Sequence, residues 1–138
     1  MPTDDFRAIE LLNRTPYGRV SASQRALPFT TITRHIVADG RLLLRLHRGY
    51  GYHRALDGNV VAYEADNVNS GAPDTWSVQF TGTARAILPT TCELELFGRT
   101  PRLADGEPFD PVFLRIEAEF VKVHCLSDVP VFRYAHSA

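Results

Sequence analysis

The chain has 138 residues, 44% of them hydrophobic and 22% charged. That balance suits one folded domain spanning residues 1–138 and excludes a disordered or fibrous chain. Its longest uninterrupted apolar run, Val60 to Tyr63, falls far short of the ~20 residues that cross a bilayer, so no membrane partner is expected. A net charge of −1 supplies no strongly basic face for nucleic acid.

The first twenty residues carry Asp4, Asp5 and Glu10 and no apolar stretch, so a cytoplasmic location is expected. From Asp4 to Asn13, residues Phe6, Ile9 and Leu12 recur at helical spacing, with acids in the first turn and Pro16 beyond the end. This predicts a short amphipathic helix lying as a lid. Arg19 to Ser23 alternates as a strand, and Ala26 to Val37 is a long β-branched run. Asp39-Gly40 separates that run from Arg41 to Leu46, a strong hairpin signal that pairs the second strand with the third.

Arg48 to Leu56 breaks the strand pattern, and its second half suits one or two helical turns. A fourth strand, Val60 to Val68, precedes the polar loop Asn69 to Asp74. Trp76 to Leu88 then sets Trp76, Val78, Phe80, Ala84 and Ala86 against Ser77, Gln79, Thr81, Thr83 and Arg85, the clearest strand of the chain. Thr91 is read as the N-cap of a helix ending at Phe97 and Gly98, and Arg99 to Pro111 as a proline-containing loop. The last strand, Val112 to Ser127, points Leu114, Ile116, Ala118 and Phe120 inward. It then changes phase to Val121, Val123 and Cys125, which predicts a bulge near Phe120. Six strands joined mostly by short connections describe a mainly β fold, a small antiparallel barrel with a few short helices.

Candidate chemistry concentrates in one turn. Arg45, His47, Arg48, His53 and Arg54 place five cationic or titratable groups close together, and Gly49 and Gly51 free the backbone for an anion. Solvated arginines on a glycine-rich surface turn are the competing reading. Fourteen of the fifteen basic residues are arginine, Lys122 being the exception, and arginine is the better bidentate binder of phosphate. No acid or cysteine stands at ligand spacing from the histidines, so no metal is expected. The serines lack a G-x-S-x-G elbow, so no hydrolytic nucleophile is named. Cys92 and Cys125 have neither paired spacing nor a secretory context and are read as buried free thiols. Glu117 and Glu119 fall on the solvent side of the last strand.

The order of motifs resembles the flavin-binding split barrels related to pyridoxamine 5′-phosphate oxidase. Gly18-Arg19-Val20-Ser21-Ala22-Ser23, Leu27-Pro28-Phe29-Thr30-Thr31-Ile32, Asp39-Gly40-Arg41-Leu42, Trp76-Ser77-Val78 followed by Gly82-Thr83-Ala84, and Phe113-Leu114-Arg115-Ile116-Glu117 carry the resemblance. It implies a six-stranded antiparallel split β-barrel that forms a homodimer with flavin mononucleotide (FMN) in the groove between subunits. By that resemblance, Thr30, Thr31, Ile32, Thr33 and Arg34 face the ring and ribityl chain, Ser77 makes a polar contact to the ring, and Arg45, His47 and Arg48 lie where the phosphate is received. Tyr52 stands where the family usually has a lysine, four residues before Leu56, with His53 beside it. A tyrosine replaces a charge-assisted contact by one neutral hydrogen bond. The deazaflavin F420 is the alternative cofactor.

The resemblance therefore implies an oxidoreductase acting on a small organic substrate, with the redox chemistry carried by the flavin and no side chain required as acid or base. The alternative is a split barrel that holds a flavin or another phosphate-bearing ligand without turnover.

Overall fold

The computed structural model describes residues 3–130. A helix, α1 (Thr3–Leu12), leads into strands β1 (Tyr17–Gln24), β2 (Leu27–Ala38) and β3 (Arg41–His47). A 3₁₀ turn (Arg48–Tyr50) and a short helix α2 (Tyr52–Leu56) follow, then β4 (Val60–Asp66), β5 (Thr75–Ile87) and α3 (Thr91–Phe97). A small hairpin, β6 (Leu103–Ala104) with β7 (Glu107–Pro108), precedes the long β8 (Pro111–Leu126). Six strands close an antiparallel barrel in the order β1-β2-β3-β8-β5-β4, with β4 returning to β1.

Alternation along the strands fills the barrel. Val20, Leu44, Val61, Tyr63, Val78 and Leu114 are all essentially inaccessible to solvent, the interior row expected when every second residue points inward. The Asp39-Gly40 hairpin forms, both residues at positive φ (51° and 74°), and it fixes β2 against β3 from Arg34↔Arg45 to Ala38↔Arg41. A second positive-φ pair, Arg25 and Ala26, makes the β1–β2 turn, so β2 begins at Leu27 and the expected start at Ala26 is corrected.

The predicted bulge is present. Thr81 faces Phe120 while Gly82 faces Ala118, leaving Glu119 as the extra residue. A Cβ on Gly82 would strike the Glu117 carbonyl, so the close crossing of β5 and β8 requires glycine. Ala118 and Phe120 are nevertheless exposed, against the expectation that they point inward, because the inward phase stops at Ile116 and resumes at Val121 beyond the bulge. Glu117 and Glu119 are exposed as expected.

Other expectations change at element ends. Helix α1 buries Ala8, Leu11 and Leu12, whereas Phe6 is 62% exposed. The cap of α3 is Thr90, not Thr91: its hydroxyl accepts from the Glu93 backbone N–H, and the Glu93 carboxylate accepts from the Thr90 N–H, a reciprocal box. The stretch Arg99 to Pro111, expected to be loop, contains the β6–β7 hairpin across Asp105-Gly106. Both cysteines are free, as expected, but exposed. Cys125 shares the alternation of Val121 and Val123 but is exposed near the end of β8, where it accepts a contact from the Arg7 guanidinium at 3.3 Å.

Candidate functional site

The barrel is incompletely zipped along the first part of β2. Strand β2 pairs with the whole of β1 over Leu27 to Arg34, but with β3 only from Arg34 onward. On the side away from β1, the edge of Leu27–Thr33 has no strand partner among the described residues, because the chain leaves β3 at His47 for the 3₁₀ turn. Alternate backbone N–H and C=O groups along that edge are therefore open to a ligand.

A groove runs along this edge. Its first hollow, about 370 Å³, is walled by Thr30, Thr31 and Ile32 on one side and by Tyr50, Tyr52 and Asp105 on the other. A second hollow of about 330 Å³ shares Ile32, Tyr50 and Asp105 with it and reaches back to Arg34, Arg45 and His47. A third region adjoins at His47 and is lined by Arg48, Gly49, Gly51 and Arg54, with Glu107 and Asp110 opposite.

Seven of the sequence-identified residues thus meet in the first two hollows: Thr30, Thr31, Ile32, Arg34, Arg45, His47 and Tyr52. Their roles differ. Thr30 and Ile32 point outward, Ile32 being 66% exposed, and the Thr30 hydroxyl shares a 2.9 Å hydrogen bond with Ser21. Thr33 points into the barrel, buried, with an unpartnered hydroxyl among the described residues.

The cations behind the groove are largely committed to the protein. Arg34 donates to the carbonyls of Leu96 and Phe97 at 3.0 and 3.2 Å, which closes off the last turn of α3. Arg45, only 3% exposed, donates to Gly98 and Arg99 carbonyls and lies over the rings of Phe97 and Phe109. Burial lowers the pKa of Arg45, and its Nε has no partner among the described residues. His47 is buried, its Nδ1 accepting from the Asp110 N–H at 3.0 Å, which leaves Nε2 as the donor. A side chain at position 49 would collide with that ring, so Gly49 keeps His47 in place.

At the third region, Arg48 pairs with Asp110 at 3.3 Å, while Arg54 makes no ion pair among the described residues. Burial, with Arg48 and Arg54 nearby, lowers the pKa of His53, whose Nδ1 is unpartnered among the described residues. Tyr52 stacks on Phe29 with centroids 4.7 Å apart and planes 12° from parallel, so its ring floors the groove rather than reaching out of it. Ser77 lies elsewhere. Its register, beside Asp66 on β4 and His124 on β8, puts two strands, β1 and β4, between it and β2.

Tyr50 and Asp105, which line both of the first two hollows, were not identified from sequence as site residues. Tyr50 stands edge-on to His47 at 5.0 Å, and no spacing rule distinguishes it from a packing aromatic. Asp105 was legible in principle, because Asp105-Gly106 carries the same turn signal as Asp39-Gly40.

The fold is a closed six-stranded antiparallel barrel with an open edge on β2. The chain belongs to the pyridoxamine 5′-phosphate oxidase family, which it matches over residues 4–125. It is 35% identical over 89 residues to the uncharacterized protein Rv0080 of Mycobacterium tuberculosis, a match covering 61% of this chain and 59% of that protein. The fold is that of an FAD binding protein from Mycobacterium smegmatis (TM-score 0.69, 18% identity, 92% of this chain and 97% of that one). An FAD-binding protein from Mesorhizobium loti is similar as well (TM-score 0.62, 17% identity, 92% and 96% covered).

Proposed function

We propose that the protein binds a flavin, FMN, along the open edge of β2 and works as a cytoplasmic oxidoreductase on a small organic substrate. The observation that carries this reading is the unpaired edge of Leu27–Thr33 lining an open groove. A flat conjugated ring with a polar rim fits it: the strand edge offers alternating donors and acceptors, Ile32 offers an apolar face, and Thr30 offers a hydroxyl. Solved structures of similar fold described as FAD-binding support a flavin in general.

Within this reading, Arg48 and Arg54 hold the phosphate, with the open backbone at Gly49 and Gly51 beside them. Arg34, Arg45 and His47 do not reach out to it; they hold α3 and Asp110 in place and so keep the groove open. Tyr50 and Tyr52 exclude water from one side of the ring. The bound flavin supplies hydride transfer. Because Ser77 is remote from the groove of its own chain, a polar contact from Ser77 comes from a second copy, and the site is complete only in a homodimer.

The test is the visible spectrum of the protein as purified, followed by titration with FMN and then with NAD(P)H under anaerobic conditions. Saturable binding and multiple-turnover reoxidation by an acceptor support an enzyme. Stoichiometric binding without turnover supports a flavin-holding module. Competition by F420 that displaces FMN identifies the deazaflavin instead.

A further inference from the structure

A second cavity lies away from the flavin groove and shares none of its lining. It opens beside the β2–β3 hairpin, beneath α1, with a volume of about 390 Å³, within the ~300–1,000 Å³ range of small-molecule sites. Its inner wall is apolar: Ile9 and Leu12 from α1, Leu42 from β3, Phe80 from β5, and Ile116 and Val121 from β8. Its mouth is charged, with Arg41 and Arg115 on one hand and Asp5 and Glu117 on the other.

The two arginines differ in how far they are partnered. Arg115 gives one amino group to one oxygen of Glu117 at 2.9 Å. Its Nε is buried and has no partner among the described residues, an uncompensated donor of the kind that folded proteins seldom leave. Arg41 makes no ion pair among the described residues. Asp5 sits near the start of α1, where the helix dipole favours a negative charge. The mouth therefore carries an arginine with a buried, unpartnered Nε and a second arginine in no ion pair among the described residues, in front of an apolar hollow.

We propose that this cavity is a binding site for an amphipathic monocarboxylate, a medium-chain alkanoate or arylalkanoate, with its carboxylate at Arg115 and Arg41 and its hydrocarbon against Leu42, Phe80 and Ile116. Two guanidinium groups give the planar, charge-assisted recognition that a carboxylate takes best, and the apolar wall rewards the tail in proportion to the area it buries. The site does not depend on the flavin reading.

Isothermal titration of the full chain with decanoate, and with decanol as the uncharged control, tests it. Saturable decanoate binding is expected, with decanol weaker by about tenfold, the loss of a charge-assisted contact. Arg41→Ala, a change at an exposed residue, and Arg115→Met, which keeps the hydrocarbon stem, are each expected to weaken decanoate by a similar factor. Both should leave FMN titration unchanged, since neither residue lines that groove. Ala118→Leu, which intrudes into the cavity, is expected to weaken decanoate and decanol alike. Absence of saturable binding, equal affinity for decanol, or indifference to both arginine substitutions overturns the proposal.

Discussion

Tyr52 illustrates how one side chain sets the character of the site. In the proposed flavin site a lysine at this position would add a mobile charge able to reach the phosphate, whereas Tyr52 lies flat on Phe29 and the proposed phosphate contacts are left to Arg48 and Arg54. Tyr52→Lys is therefore expected to tighten FMN by about tenfold, the ~1.4 kcal/mol of one charge-assisted contact, read as the Kd in a fluorescence titration. An unchanged or weaker Kd would show that the phosphate lies elsewhere. A second residue, His35, governs stability. It is buried, donates from Nε2 to the Leu12 carbonyl at 2.9 Å, and accepts at Nδ1 from the Tyr63 hydroxyl. Burial raises the pKa of that phenol, which stays a donor. Burial also pushes the His35 pKa below its ordinary value, so the unfolded chain binds more protons than the folded one just below pH ~6.5. Stability is then full above about pH 6.5 and falls as the pH drops toward the folded-state pKa. Urea midpoints measured from pH 7.5 to 5 should decline, and His35→Gln should flatten the decline; a flat profile in the unmodified protein contradicts this account.

At the scale of elements, the turn chemistry and the strand alternation were legible, while the pieces held by tertiary contacts were not. Asp39-Gly40 and the phase change near Phe120 each follow from local sequence, since only those backbones fit a tight hairpin or a bulge. Thr90 was missed because Thr91 beside it is an equally good cap in isolation; what selects Thr90 is its spacing to Glu93. The inward assignment of Ala118 failed because alternation cannot locate the extra residue of a bulge. The groove's residue set was partly legible: Thr30, Ile32 and Tyr52 line it, but nothing local says that Arg45 and His47 are buried behind it, which follows from α3 and the β6–β7 hairpin closing over them. Two substitutions test these elements. Thr90→Ala should cost about 1 kcal/mol by loss of the cap, seen as a lower urea midpoint at constant slope. Gly82→Ala should cost about 1–3 kcal/mol, because its Cβ meets the Glu117 carbonyl where β5 crosses the bulge; a neutral effect would mean that β8 can move away.

For the molecule as a whole, the barrel positions a strand edge that it leaves unpaired, and the proposed flavin site uses that edge together with residues that one chain keeps apart. Ser77 and Ile32 lie on the outer faces of β5 and β2, separated by β1 and β4, so a site containing both needs two copies. Light scattering at micromolar concentration should then give about twice the 15.4 kDa chain mass, and dilution that separates the copies should release the flavin. The most direct test of the flavin assignment is FMN titration of the apoprotein, followed by flavin fluorescence. Saturation at one flavin per chain, abolished or strongly weakened by Ile32→Arg in the groove wall, is the expected result. No saturation with FMN, FAD or F420 would contradict the assignment of the open β2 edge as a flavin site.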